Sequence, residues 1–157
     1  DIGGFGKGYL IDLVANLLRE QFALQYFLIN AGGDMFGTSD HDMPIEIQLE
    51  HPVLERTIIA KTTLHDQGFA ASSHYKRRWK HRGKTYTHLV SDSITHHASY
   101  VKHHKAATAD AFATTALLAQ KSEMEQISQT EHLALAYFDP TTNQLTGNKL
   151  FFTESSR

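Results

Sequence analysis

The chain opens Asp1-Ile2-Gly3-Gly4-Phe5-Gly6-Lys7-Gly8, and no other stretch limits its fold as much. Four glycines in eight residues allow positive φ and close approach by another backbone. They lead straight into an apolar-periodic segment. Leu10, Leu13, Val14, Leu17, Leu18 and Phe22 recur at three- and four-residue steps, with Asp12, Asn16, Arg19 and Glu20 mainly opposite. That spacing predicts an amphipathic helix over Gly8 to Phe22. A glycine turn opening a helix offers unpaired N–H groups and the positive end of the dipole to an anion, and Lys7 adds a mobile charge. The same residues also read as a plain glycine turn with a surface lysine. They form neither a Walker A loop nor a complete dinucleotide fingerprint.

The 157 residues read as one domain, large enough for a real core. Lys and Arg number 15 against 17 Asp and Glu, so the net charge is −2 and nothing marks a nucleic-acid or anionic-membrane surface. No apolar run approaches the roughly 20 residues that span a bilayer. The absence of cysteine excludes disulfides and thiolate metal sites without choosing a compartment. A start on Asp1, in mid-motif and without an initiator Met, is expected of a processed product or a fragment whose upstream part lies elsewhere.

Further along, Gln25 to Asn30 reads as a buried strand that stops at the turn Ala31-Gly32-Gly33-Asp34, and Met35 to Gly37 begins a second. Ser39 to Pro44 is a loop. The alternation of Ile45, Ile47 and Leu49 predicts a half-buried strand, and Thr57 to Thr63 another. Gly68 to Ser73 is a small-residue stretch able to pass close to a ligand. Lys76 to Arg82 reads as a solvated hairpin edge and Lys84 to Ser91 as its returning strand. Ala106 to Gln120 is a second clear helix and Ser122 to Gln129 is helical as well. Leu133 to Phe138 and Leu150 to Thr153 read as strands. The fold class is α+β, a mixed, mainly antiparallel sheet packed against helices.

Asp110 and Thr114 stand four apart on the alanine-rich helix, so their oxygens project from one face. A carboxylate with a hydroxyl is hard-oxygen chemistry that suits Mg²⁺. In the competing reading Asp110 faces solvent and Thr114 bonds back to the helix carbonyls. Eleven histidines invite a transition-metal reading, with His96-His97 and His103-His104 flanking one short segment, but no acidic or Cys partner sits at ligand spacing. His88 lies in an alternating strand, where it serves equally as an acid/base group or as a satisfied structural histidine. No G-x-S-x-G element or Cys nucleophile supports acyl transfer.

Five segments taken together, in their order and spacing, carry a resemblance. They are Asp1 to Tyr9 (continuing through Asp12), Asn30-Ala31-Gly32-Gly33-Asp34, Ala70-Ala71-Ser72-Ser73-His74-Tyr75, Thr87-His88-Leu89-Val90, and Thr108-Ala109-Asp110-Ala111-Phe112-Ala113-Thr114. Over about residues 1 to 140 the chain resembles the FAD:protein FMN transferases, the ApbE or "thiamine biosynthesis lipoprotein" family. There these segments look like D-x-G-G-x-x-K-G-Y, N-x-G-G-D, A-T-S-G-x-Y, the lead into H-[IL]-[IL]-D-P, and A-D-A-x-x-T.

The resemblance implies an ApbE-like, T-fold-related domain. Residues 1 to 157 would be its C-terminal portion, and the N-terminal half, source of much of the FAD pocket, would be absent. The implied reaction is Mg²⁺-dependent transfer of FMN from FAD to a Thr or Ser hydroxyl of an acceptor redox protein, with AMP leaving. The metal would be held by the Gly4 carbonyl, Asp110 and Thr114. Asp1 and Lys7 would contact FAD, the Val90 backbone would lie near the flavin nucleotide, and His88 would be the acid/base or positioning residue. A periplasmic, lipid-anchored setting at the inner membrane and association with the missing half follow in the same way. Ser91-Asp92 stands where the family usually has Asp-Pro, Ala71-Ser72-Ser73 replaces Thr-Ser-Gly, and Ala113 stands where some members carry a second acid. These departures and the short length keep a second class of function open, a non-catalytic, degenerate ApbE-like interaction module.

Overall fold

The structure, a computed structural model, describes residues 2–39, 43–75, 78–81, 83–87, 98–139 and 141–152. After a single 3₁₀ turn at Ile2–Gly4, helix α1 runs over Gly6–Phe22. Strands β1 (Phe27–Ala31) and β2 (Asp34–Thr38) form a hairpin, and β3 (Ile45–Glu50) and β4 (Ile58–Leu64) a second. Then come β5 (Gln67–Ser73), the small hairpin β6 (Arg78–His81) and β7 (Lys84–Thr87), and β8 (Ala98–His103). Helices α2 (Ala106–Leu118) and α3 (Lys121–Thr130), strands β9 (Ala134–Asp139) and β10 (Gln144–Gly147), and the short helix α4 (Lys149–Phe152) complete the chain.

The main sheet has six antiparallel strands in the order β1-β2-β5-β8-β9-β10. Its two faces are covered differently, and the period-2 alternation of side chains sorts them. Phe69, Tyr100, Ala134, Ala136 and Phe138 point toward the β3–β4 hairpin, where Ile45, Ile47, Leu49 and Leu64 meet them with Phe151 of α4. Ala70, Val101, Leu133, Leu135 and Tyr137 point the other way, onto Ala109, Ala113 and Ala116 of α2 and Met124 of α3. Alanine along α2 is what lets that helix lie close across β5 and β8. Gly68 serves the same end, since a Cβ there would fall 2.4 Å from the Ala106 Cα.

Several expectations change. Strand β1 lies at the edge of the main sheet and is half-buried to exposed rather than buried, with Leu28 46% exposed. Residues 150–152 are helical rather than extended. Asn148 turns the chain by accepting the Phe151 N–H on Oδ1 (3.2 Å), the bond an N-cap makes, while donating to the Leu133 carbonyl (2.7 Å). The central strand β8 was not expected as a strand. It is buried on both faces at all six positions, so it lacks the polar–apolar alternation that marks a half-buried strand. Helix α1 also has its stripe turned. Gly8, Ile11 and Ala15 are buried against the body of the protein, whereas Leu10, Leu13, Leu17 and Phe22 are exposed. Where α1 lies tight against α2 the inner face is bare Gly8, while Ile11 and Ala15 pack with Phe36 and Ala106, and Leu10, Leu13 and Leu17 face outward.

Candidate functional site

Helices α1 and α2 meet at their N-termini, and each satisfies the other. The Asp12 carboxylate accepts the first two α2 amides, Ala106 N–H on Oδ1 (2.7 Å) and Ala107 N–H on Oδ2 (3.0 Å). In return, Asp110 Oδ2 accepts the Gly8 N–H of the first α1 turn (3.0 Å). The approach depends on a bare Gly8, where a Cβ would stand 2.3 Å from the Ala106 carbonyl oxygen. Asp110 is therefore buried, at 5% exposure, and not turned to solvent. Thr114, one turn on, pairs with the Ser72 hydroxyl of β5 (3.2 Å); it is the next residue, Thr115, that bonds back to the Ala111 carbonyl (2.9 Å).

These groups border a cavity of about 640 Å³. Gly3, Gly4 and Lys7 form one side of it, and Asp110 and Thr114 with Ala71, Ser72 and Ser73 form another. The Gly32-Gly33 turn of the β1–β2 hairpin closes a third; both glycines take positive φ (+72° and +107°), and Gly33 N–H donates to Asn30 Oδ1 (3.0 Å). Glu50 and Tyr100 also line it, and the Tyr100 hydroxyl donates to the Glu50 carbonyl (3.2 Å). Burial, and next the Glu50 charge, pushes the Tyr100 phenol upward, so it is a neutral donor. Lys7 is anchored rather than mobile, because its ammonium pairs with the Asp34 carboxylate, itself 3% exposed. Among the described lining residues, three carboxylates (Asp34, Glu50, Asp110) stand against one ammonium.

Of the residues expected to carry function, Gly4, Lys7, Asp110 and Thr114 all border this one cavity. Asp1, His88 and Val90 lie outside the described residues, as do Ser91-Asp92 and His96-His97. His103 and His104 place their rings 3.8 Å apart, and His103 Nδ1 accepts the Lys105 N–H (3.1 Å); burial, and next His104, lowers the His103 pKa. Among the described residues no three His, Cys, Asp or Glu side chains gather as metal ligands. Sequence reasoning gave Asp12, Asp34 and Ser72 no individual role, although Ser72 lies in the small-residue stretch expected to pass close to a ligand and borders the cavity. Helical periodicity put Asp12 with the outward polar residues, although its four-residue step from Gly8 shares that glycine's face. Asp34 follows the Gly32-Gly33 turn and opens β2, where no local pattern marks its pairing with Lys7.

A family model described as ApbE family matches residues 1–138. A curated FAD:protein FMN transferase of Klebsiella pneumoniae (strain 342) is 30% identical over 91 residues, 57% of this chain and 27% of that protein. The crystal structure of the ApbE protein from Thermotoga maritima MSB8 matches with a TM-score of 0.81 at 20% identity, covering 97% of this chain and 52% of that one. Flavin transferase ApbE from Vibrio cholerae matches with a TM-score of 0.74 at 19% identity, covering 97% of this chain and 51% of that one. This chain thus spans about half the length of the solved relatives and a smaller share of the curated one.

Proposed function

This chain belongs to the ApbE family, and from that premise we propose that it carries the metal-holding side of a transferase that moves FMN from FAD onto a protein hydroxyl. In the balanced reaction, the oxygen of an acceptor Thr or Ser forms a bond to the FMN phosphorus. The pyrophosphate P–O bond to the AMP portion breaks, AMP leaves, and the hydroxyl proton passes to a base. His88 is the residue we assign to that proton.

One observation carries the reading. Three residues that can offer hard oxygen donors (Gly4 by its carbonyl, Asp110 by its carboxylate and Thr114 by its hydroxyl) border the same cavity, in which carboxylates outnumber ammonium groups among the described residues. A diphosphate is repelled by such a lining unless a cation accompanies it. The donor set fits Mg²⁺, which takes oxygen ligands and completes its shell with water and substrate phosphates. Asp110 fits it too, as a buried carboxylate with one protein hydrogen bond, to Gly8, among the described residues. Bound Mg²⁺ would supply charge neutralisation at the diphosphate. The chain's own parts act around it: Asp34 fixes Lys7 at the cavity edge, Ser72 orients the Thr114 hydroxyl, and the open Gly32-Gly33 turn leaves room for a bulky ligand.

The test is covalent flavin transfer to an acceptor domain, read as fluorescence that survives denaturing electrophoresis, using the natural-length polypeptide that carries this sequence. Asp110→Ala should lower Mg²⁺-dependent transfer at least 100-fold. Wild-type transfer by that variant would remove the assigned site.

A second reading, the non-catalytic interaction module, is favoured by the outer face of α1. Tyr9, Leu10, Leu13 and Leu17 are 55, 60, 48 and 43% exposed, an apolar surface of the sort that marks an interface. Its occupant under either reading is the portion of the ApbE fold that this chain does not span. Isothermal titration with FAD separates the two readings, since the module gives no Mg²⁺-dependent heat. The periplasmic, lipid-anchored setting belongs to the same proposal; no described helix is long and apolar enough to cross a membrane.

A further inference from the structure

We infer that Asp12 is a positioning residue for the Asp110 carboxylate, acting through the start of α2 from a helix 94 positions earlier in the chain. The inference rests on the reading of Asp110 as the metal-holding acid. Helix α2 has no cap of its own: Lys105, at the N-cap position, has the extended backbone of a capping residue (φ −112°, ψ 128°) but makes no side-chain cap bond. A Ser, Asp or Asn at 105 would satisfy an orphan amide of that first turn. The chain instead sends a carboxylate from α1, which does something a local cap cannot. It fixes the register of one helix against the other.

The return contact shows what that register controls. Gly8 is one turn before Asp12 on α1, and Asp110 is one turn after Ala106 on α2. The pairs Asp12 to Ala106 and Gly8 to Asp110 therefore form a closed ring of hydrogen bonds across the crossing. Sliding α1 along α2 stretches both pairs together. With Oδ2 held by Gly8 N–H, the rotation of the Asp110 carboxylate is set, and so is the direction of its other oxygen. A carboxylate that orients a metal ligand through a hydrogen-bond relay typically controls affinity by 10–100-fold.

The experiment uses the whole chain with Asp12→Asn, an isosteric change that leaves one of the two amides without an acceptor. A companion, Asp12→Glu, keeps the charge but moves it by a methylene. The readouts are thermal unfolding, Mg²⁺ titration followed at the Gly8 amide by ¹H–¹⁵N NMR, and hydrogen exchange of that amide without metal. Both variants should bind Mg²⁺ about 10-fold more weakly or worse and exchange the Gly8 amide several-fold faster. Adding Lys105→Ser to Asp12→Asn gives α2 a local cap; this should return the melting temperature but neither the affinity nor the Gly8 protection. Recovery of all three, or wild-type Gly8 exchange in Asp12→Asn, overturns the inference and makes Asp12 an ordinary cap. If Mg²⁺ leaves the wild-type spectrum unchanged, the metal reading fails separately, and the metal-free exchange alone decides the role of Asp12.

Discussion

Gly8→Ala inverts an ordinary rule about helices. Alanine is usually the better helix former by about 1 kcal/mol, so in an exposed helix the change would stabilise. At position 8 the added methyl would stand 2.3 Å from the Ala106 oxygen, 2.6 Å from its carbonyl carbon and 2.7 Å from the Ala107 Cα. These are backbone atoms and cannot swing aside, so α1 must retreat by about 1 Å to reach ordinary contact distance. Such a retreat lengthens the 3.0 Å Gly8–Asp110 bond past any useful range and strains the two Asp12 contacts. Overpacking costs about 1–3 kcal/mol, and a lost hydrogen bond to a charged acceptor about 1.5–3 kcal/mol. Less the propensity gain, the net loss is about 1.5–5 kcal/mol, or roughly 3–20 °C in melting temperature for a chain of this size. Gly6→Ala is the internal control. Its nearest obstacle is Ile2 Cγ2 at 2.8 Å, the end of an exposed side chain that can rotate away, so that variant should be neutral to about 1 kcal/mol more stable. Urea and thermal unfolding by circular dichroism measure both. Equal stability of Gly8→Ala and Gly6→Ala would refute the close helix crossing and the hydrogen-bonded ring with it.

Two further outcomes test charges inside the fold. Lys102 is 3% exposed and donates to Thr62 Oγ1 (2.9 Å); burial lowers its pKa from 10.5 to about 8. Between those two values the unfolded chain holds the proton that the folded chain has lost, so wild-type stability should rise from pH 8 toward pH 10, by at most about 3 kcal/mol. Above pH 10 the buried Tyr100, with its raised pKa, acts the other way, because the unfolded phenol ionises first. Lys102→Met should flatten the rise in urea midpoint over pH 8–10, and an unchanged slope would show that Lys102 is not its source. At the cavity edge, Lys7→Met should destabilise more than Asp34→Asn, because it strands the buried member of the pair, whereas Asp34→Asn strands a lysine whose side chain is 39% exposed. The reverse order in thermal unfolding would mean that the ion pair does not hold Asp34.

What the sequence disclosed depended on how local the cause was. The helix over Gly8 to Phe22 and the alternation of Ile45, Ile47 and Leu49 were legible because period alone sets them. Asp110 and Thr114 were legible as neighbours on one face for the same reason. The β8 strand was hidden because burial on both sides erases the pattern, and Lys102 and His103 within it look like surface residues. Leu150-Phe151-Phe152 looked extended by composition, while the decisive group was the amide of Asn148 at the cap. Asp12 was hidden most completely. Its partners lie beyond position 100, and no window on the local chain contains them.

That hidden contact changes the meaning of the glycine-rich opening. Read alone, the turn offers bare amides at a helix start, and such a start attracts an anion. In the fold the Gly8 amide is already spent on Asp110, and the first two amides of α2 are spent on Asp12. The positive ends of two helices have been brought together and then neutralised from within by carboxylates. Lys7, the remaining source of positive charge in the opening, is neutralised in turn by Asp34. Under the proposed function, a diphosphate entering this cavity would meet no reserve of positive charge among the described residues, and its binding would depend on a cation that arrives with it. The ordering that follows is chemical. The proposed function therefore predicts that a divalent ion raises nucleotide affinity here far more than a bare phosphate-binding helix start would require, and nucleotide binding that is equally tight in EDTA would refute it.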